Sequence, residues 1–129
     1  MYSPFNMAVN DRGQGLLLGG TDRSIPRLAL FTDKGLRSIA NFSGGAPLQT
    51  VSPSGGVFSN INEFTINESG QAMILTGVTG GPSGMFLYDG NAWQSVCLFG
   101  TCKIDGETVT SAGSLRAAST SRILSRRAP

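Results

Sequence analysis

The chain has 129 residues, 10 basic and 8 acidic, for a net charge of +2. That is under one average domain of about 150 residues, and so balanced a charge argues against a dedicated nucleic-acid binder. There is no histidine, which excludes Ser-His-Asp and Cys-His nucleophile arrangements and any His-ligated metal site. The 18 glycines and 14% charged residues exclude a coiled coil and a charged disordered chain, and favour short strands joined by glycine-rich turns.

The N-terminus, Met1 to Phe5, lacks the basic stretch and apolar core of a signal peptide. The first predicted strand is Phe5 to Val9. It ends at Asn10-Asp11-Arg12-Gly13, a turn sequence in which Asn bonds its own backbone and Gly supplies positive φ. A strand follows at Gly15 to Gly19, then a turn-rich stretch from Gly20 to Pro26. The third strand is Arg27 to Phe31. Asp33-Lys34-Gly35 turns the chain into a fourth strand, Leu36 to Phe42.

The same series then recurs 57 residues on. Asn67-Glu68-Ser69-Gly70 repeats the first turn, after a strand at Phe64 to Ile66. The following strands are Ala72 to Val78, Gly84 to Tyr88 and Trp93 to Phe99, with Asp89-Gly90 between the last two. The offset holds without a gap: Leu30-Phe31 matches Leu87-Tyr88, Leu36 matches Trp93, and Phe42 matches Phe99. Self-similarity held over a whole unit is the signature of a repeat architecture. The first unit is 1–57 and the second 58–115.

Leu16-Leu17-Leu18 and Met73-Ile74-Leu75 are apolar at every position. A strand of that kind is expected to be covered on both faces, whereas a sheet with one wet face would alternate. Four strands per unit with two-sided burial predict an all-β fold of two four-stranded antiparallel propeller-type blades. Two blades are fewer than the four to eight that close a propeller. The expectation is thus a partial propeller, or one completed by self-association. A third copy starts at Gly113 and Leu115 but lacks the turn motif. Residues 116–129 carry four arginines and no acid, and read as a basic, disordered tail.

The Asn-x-x-Gly turn, the apolar strand after it and the later Asp-Gly hairpin resemble a bacterial family of tandem-repeat proteins with the pattern NxxGxxxxxA. The resemblance covers residues 5 to 115, with Asn10, Gly13, Asn67 and Gly70 as structural turn positions. Gly19 and Thr76 stand where the pattern has Ala. The resemblance implies an exported, propeller-like, non-catalytic surface protein, and this chain as part of a longer one.

The remaining candidates are few. Of Asp11, Asp33, Glu68, Asp89 and Asp105, most fall in turn sequences, where Asp serves turn geometry. Glycosidase chemistry would need two of these carboxylates across one sugar bond. No Asp-x-Asp-x-Asp-Gly calcium loop, no phosphate loop and no run of about 18 apolar residues occurs. No catalytic residue, cofactor or metal ligand is therefore named. Trp93, directly after a turn, reads as a packing residue, with sugar stacking as the sharper alternative. Cys97 and Cys102 read equally as a local disulfide or as two plain thiols, since compartment decides. The expected role is a non-enzymatic structural or interaction module with self-association and a protein or glycan ligand. A multivalent carbohydrate-binding propeller is the alternative.

Overall fold

The computed structural model describes residues 7–20, 26–45 and 47–111. Among these residues there are only strands and turns. The first sheet contains β1 (Met7–Val9), β2 (Gly15–Gly20), β3 (Pro26–Thr32) and β4 (Gly35–Asn41), in the order β1-β2-β3-β4. The second contains β5 (Val57–Ile66), β6 (Ala72–Thr79), β7 (Gly84–Tyr88) and β8 (Trp93–Leu98), in the order β5-β6-β7-β8. Every pairing is antiparallel. A small hairpin, β9 (Lys103–Ile104) and β10 (Glu107–Thr108), follows.

The register of one sheet becomes that of the other on adding 57. Met7 faces Leu17 as Phe64 faces Ile74, and Phe31 faces Leu36 as Tyr88 faces Trp93. Even the β-bulge recurs. It lies after Leu28 in the first sheet and after Met85 in the second, leaving Ile39 and Val96 as the extra residues. A bulge re-aims the strand beyond it, so both sheets bend at the same place.

Alternation gives each sheet two faces. The inner face of the first sheet carries Ala8, Leu16, Leu18, Leu28, Leu30 and Ala40. It packs on the face of the second sheet that carries Phe64, Ile66, Ile74, Phe86, Tyr88 and Trp93. Phe42 and Phe58, on either side of the link between sheets, complete this core. Their rings stack 5.9 Å apart, and Phe58 meets Phe86 at 5.1 Å and Trp93 edge-on at 5.4 Å. Burying each such ring is worth roughly 1.5–3 kcal/mol, and each ring pair adds about 0.5–1.5 kcal/mol. Phe42 thereby ties the end of the first sheet into the aromatic cluster of the second.

The link between sheets, residues 42–56, is stitched down at both ends. Thr50 bonds Asn41 through backbone and hydroxyl, and Gln49 donates to the Phe58 carbonyl at 2.8 Å. Ser52 is buried and holds its own turn through Gly56 and Ser54.

Three expectations change. The strand expected at Phe64 to Ile66 begins seven residues earlier, at Val57, because two bulges keep it in step with β6. The β9–β10 hairpin was not foreseen, although its signal was present. Asp105-Gly106 holds both positive φ angles of a tight hairpin turn. Two-sided burial holds for Met73, Ile74 and Leu75 but not for the first sheet, where Leu17 is 38% exposed. Among the described residues nothing covers that outer face. Phe5, the stretch 21–25 and the basic tail 116–129 lie outside the described residues.

Candidate functional site

The two Asn-x-x-Gly turns sit beside each other and form a joint between the sheets. Asn10 accepts from the amides of Arg12 and Gln14 through Oδ1, at 2.9 and 3.0 Å. Asn67 does the same with Ser69 and Gln71, at 3.0 and 2.9 Å. Each Asn amide nitrogen also donates to the Gln four residues on. This is why Asn is needed: its carbonyl mimics a turn acceptor while its amide keeps two hydrogens for neighbours. The second hydrogen of Asn10 goes to the backbone carbonyl of Asn67, 2.8 Å away. The Glu68 carboxylate accepts from the Asp11 amide, and Arg12 donates to the Glu68 carbonyl. Asn10, Gly13, Asn67 and Gly70 are thus turn residues, and Asn10 also ties sheet to sheet.

Beside this joint lies an open cleft of about 550 Å³, lined by Asp33, Lys34, Arg37, Ser69, Asp89 and Asn91 among others. The β3–β4 and β7–β8 turns form its walls, so Asp33 and Asp89 come to one place. Asp89 is committed to its turn. Oδ1 accepts from the amides of Asn91 and Ala92, at 2.8 and 2.9 Å, and Oδ2 from the Gln94 side chain. The amides of Ala92 and Asn91 hold its carboxyl below the usual carboxylate range. A carboxylate held in its charged form by its own turn suits a capping role better than that of the general acid of a glycosidase pair, which needs a raised pKa. Arg37 is likewise occupied. It donates to the Gly90 carbonyl at 2.9 Å and lies over the Tyr88 ring, 5.8 Å from its centre.

The chain matches no family model, no curated protein and no solved structure. The site therefore rests on its own geometry. Among the described residues no three His, Cys, Asp or Glu side chains gather closely enough to hold a metal ion. Among the described residues no helix is long and apolar enough to cross a membrane, which says nothing of membrane β-barrels.

Trp93 takes the packing role. Its ring lies 5.1 Å from that of Tyr88 and 5.4 Å from that of Phe58, and Nε1 donates to the Ile39 carbonyl at 3.1 Å. Both the apolar body and the polar handle are engaged at the joint between sheets. Cys97 and Cys102 form a disulfide, with an S–S distance of 2.17 Å and Cα atoms 5.1 Å apart. It closes the turn after β8, where Cys102 donates to the Leu98 carbonyl and accepts from Val109.

Sequence reasoning missed Arg37 and the bonding of Asp89. The first carried no signal, because its partners come from the other sheet. The second had one: Asp followed by Gly-Asn between two strands is an Asx-turn sequence.

Proposed function

We propose that this chain is a non-enzymatic, propeller-type repeat module whose role is structural or interactive. The observation that carries this reading is the joint between sheets. One face of a four-stranded sheet packs on the opposite face of the next, with the Asn-x-x-Gly turns bonded to each other at a spacing of 57. Such stacking can be repeated sheet upon sheet until a ring closes, which is how blades build a propeller. Two of the acidic side chains are holding turns: Glu68 caps Asp11, and Asp89 caps Asn91 and Ala92. An exported bacterial surface setting is implied by the family resemblance alone.

The test is a search for turnover on a panel of glycosides and esters, with Asp33→Asn and Asp89→Asn variants as controls. No activity above background is expected. A turnover lost in either variant would overturn the reading and make the cleft an active site.

A further inference from the structure

The first sheet leaves one apolar face open. Met7 is 58% exposed, Val9 69%, Phe31 50%, Leu36 59% and Leu17 38%. The register puts all five on the same side: Met7 lies beside Leu17, and Phe31 lies beside both Gly15 and Leu36. Scattered surface leucines need no explanation, but five large side chains on one face mark an interaction surface.

The molecule itself shows what fits such a face. Add 57 to those five positions and the result is Phe64, Ile66, Ile74, Tyr88 and Trp93, the face that the first sheet covers. The residues that do the covering include Leu16, Leu18, Leu28, Leu30 and Phe42. Their own counterparts at the same offset are Met73, Leu75, Met85, Leu87 and Phe99. These form a second, separate apolar cluster on the far side of the second sheet. Met73 and Leu75 are buried there, while Met85, Leu87 and Phe99 are half-buried. The chain thus carries both halves of its internal interface a second time, on its two opposite outer sides. Two sheets cannot bring those halves together within one chain.

We infer that a second copy of this chain docks here, its Met85–Leu87–Phe99 face on the Phe31–Leu36 face of the first. This names a partner for the proposed repeat module and rests on that reading. The contact is head-to-tail: the two surfaces differ, so a pair of copies leaves one of each unused. Contacts of this kind close into a ring or run on as a filament.

The head-to-tail geometry has a specific test by light scattering and sedimentation. The wild-type mass should rise with concentration above the 13.5 kDa of one chain. A Phe31→Lys, Leu36→Lys double variant and a Leu87→Lys variant should each stay monomeric. Mixed in equal amounts, they should form a pair of twice the chain mass and grow no further, because each retains the face that the other has lost. Circular dichroism confirms that each variant is folded, and Met85→Lys replaces Leu87→Lys if the latter is not. A folded wild type that remains monomeric at its highest soluble concentration would overturn the docking while leaving the repeat-module reading intact. That reading fails separately, on turnover. Association abolished by the double variant but untouched by both Leu87→Lys and Met85→Lys would also overturn it, since the open faces would then be pairing with themselves.

Discussion

The two sheets share strand order, register and bulge, yet they meet different surroundings. In the second sheet Ile74 and Ile66 are fully buried and Tyr88 is 7% exposed. In the first, the matching Leu17, Val9 and Phe31 face outward. The difference lies in what stands next to the strand, not in the strand. Pairing is decided within a sheet, by turns and alternation. Burial is decided between sheets, by whether a neighbour is present. Among the described residues, the first sheet has a neighbour on one side only. Positions 57 apart therefore form matched pairs, in which one member has lost its neighbour.

The largest effect should come from the pair Trp93 and Leu36. Trp93→Ala removes a ring packed on Phe58 and Tyr88 and strands the Ile39 carbonyl. Such truncations cost about 3–5 kcal/mol. Leu36→Ala, on the open face, should change stability by no more than about 0.5 kcal/mol in the single chain. Urea unfolding at a concentration where the chain is monomeric reads both. Equal losses would break the comparison, because they would mean that Leu36 is covered too.

The disulfide comes next. Cys97 and Cys102 correspond to Ala40 and Gly45, so only the second sheet is cross-linked. Closing so short a loop restricts the unfolded chain by about 2 kcal/mol on the chain-entropy model. Reduction, or a Cys97→Ala, Cys102→Ala variant, should lower the stability of the chain by about that much. Amide exchange should speed first in β8 and the β9–β10 hairpin. An unchanged unfolding midpoint under reductant would show that the backbone bonds of Cys102 and Val109 hold this turn unaided.

Much of this architecture was legible in the residues. β7 was placed at Gly84–Tyr88 without error because Gly and Asp-Gly punctuate it on both sides. The spacing of 57 was readable because Asn and Gly at turns leave few substitutes. The exposure of Leu17 was not readable. An apolar triplet states what a strand can bury and does not state whether a neighbour exists to bury it. The cleft was hidden for a related reason: Arg37 and Gly90 are 53 residues apart and meet only when the sheets stack. The acidic residues were correctly read as turn residues from their Gly and Asn neighbours. Their actual hydrogen-bond partners had to come from the structure.

Gly13 and Gly70 sharpen the comparison at smaller scale. Both hold positive φ, +78 and +81, which costs a residue with Cβ roughly 1–2 kcal/mol. Space separates them. A Cβ on Gly13 would meet nothing, whereas on Gly70 it would meet the Gln14 amide at 2.8 to 3.1 Å. That amide belongs to the first sheet and is held by Asn10. Gly13→Ala should therefore cost about the backbone strain alone. Gly70→Ala should cost that strain plus about 1 kcal/mol for the displaced Asn10–Gln14 bond. Matching values in thermal unfolding would mean that Gln14 swings aside freely, and that the joint between the turns is looser than its geometry.

The smallest effect concerns acid. Asp89 has Thr32 as its counterpart, and both cap a turn: Asp89 accepts from Asn91 and Ala92, and the Thr32 hydroxyl accepts from Lys34 at 3.1 Å. Only the carboxylate titrates. The Ala92 and Asn91 amides favour its charged form, so its pKa in the folded chain lies below the ordinary 3.8. A group lowered in this way stabilises the fold above its unfolded pKa, and that contribution is lost as pH falls through the folded value. The β7–β8 turn should thus loosen below about pH 4, while the β3–β4 turn keeps its neutral cap. Exchange rates of the Asn91 and Ala92 amides, read against that of Lys34, would follow this. Asp89→Asn should remove the acid sensitivity and leave the turn formed, because an Asn carbonyl can accept the same amides. If both turns loosened together, the acid response would belong to the stacked sheets as a whole. Loosening at β7–β8 alone would show that the caps work locally, each sheet closing its own turn whether or not its outer face is covered.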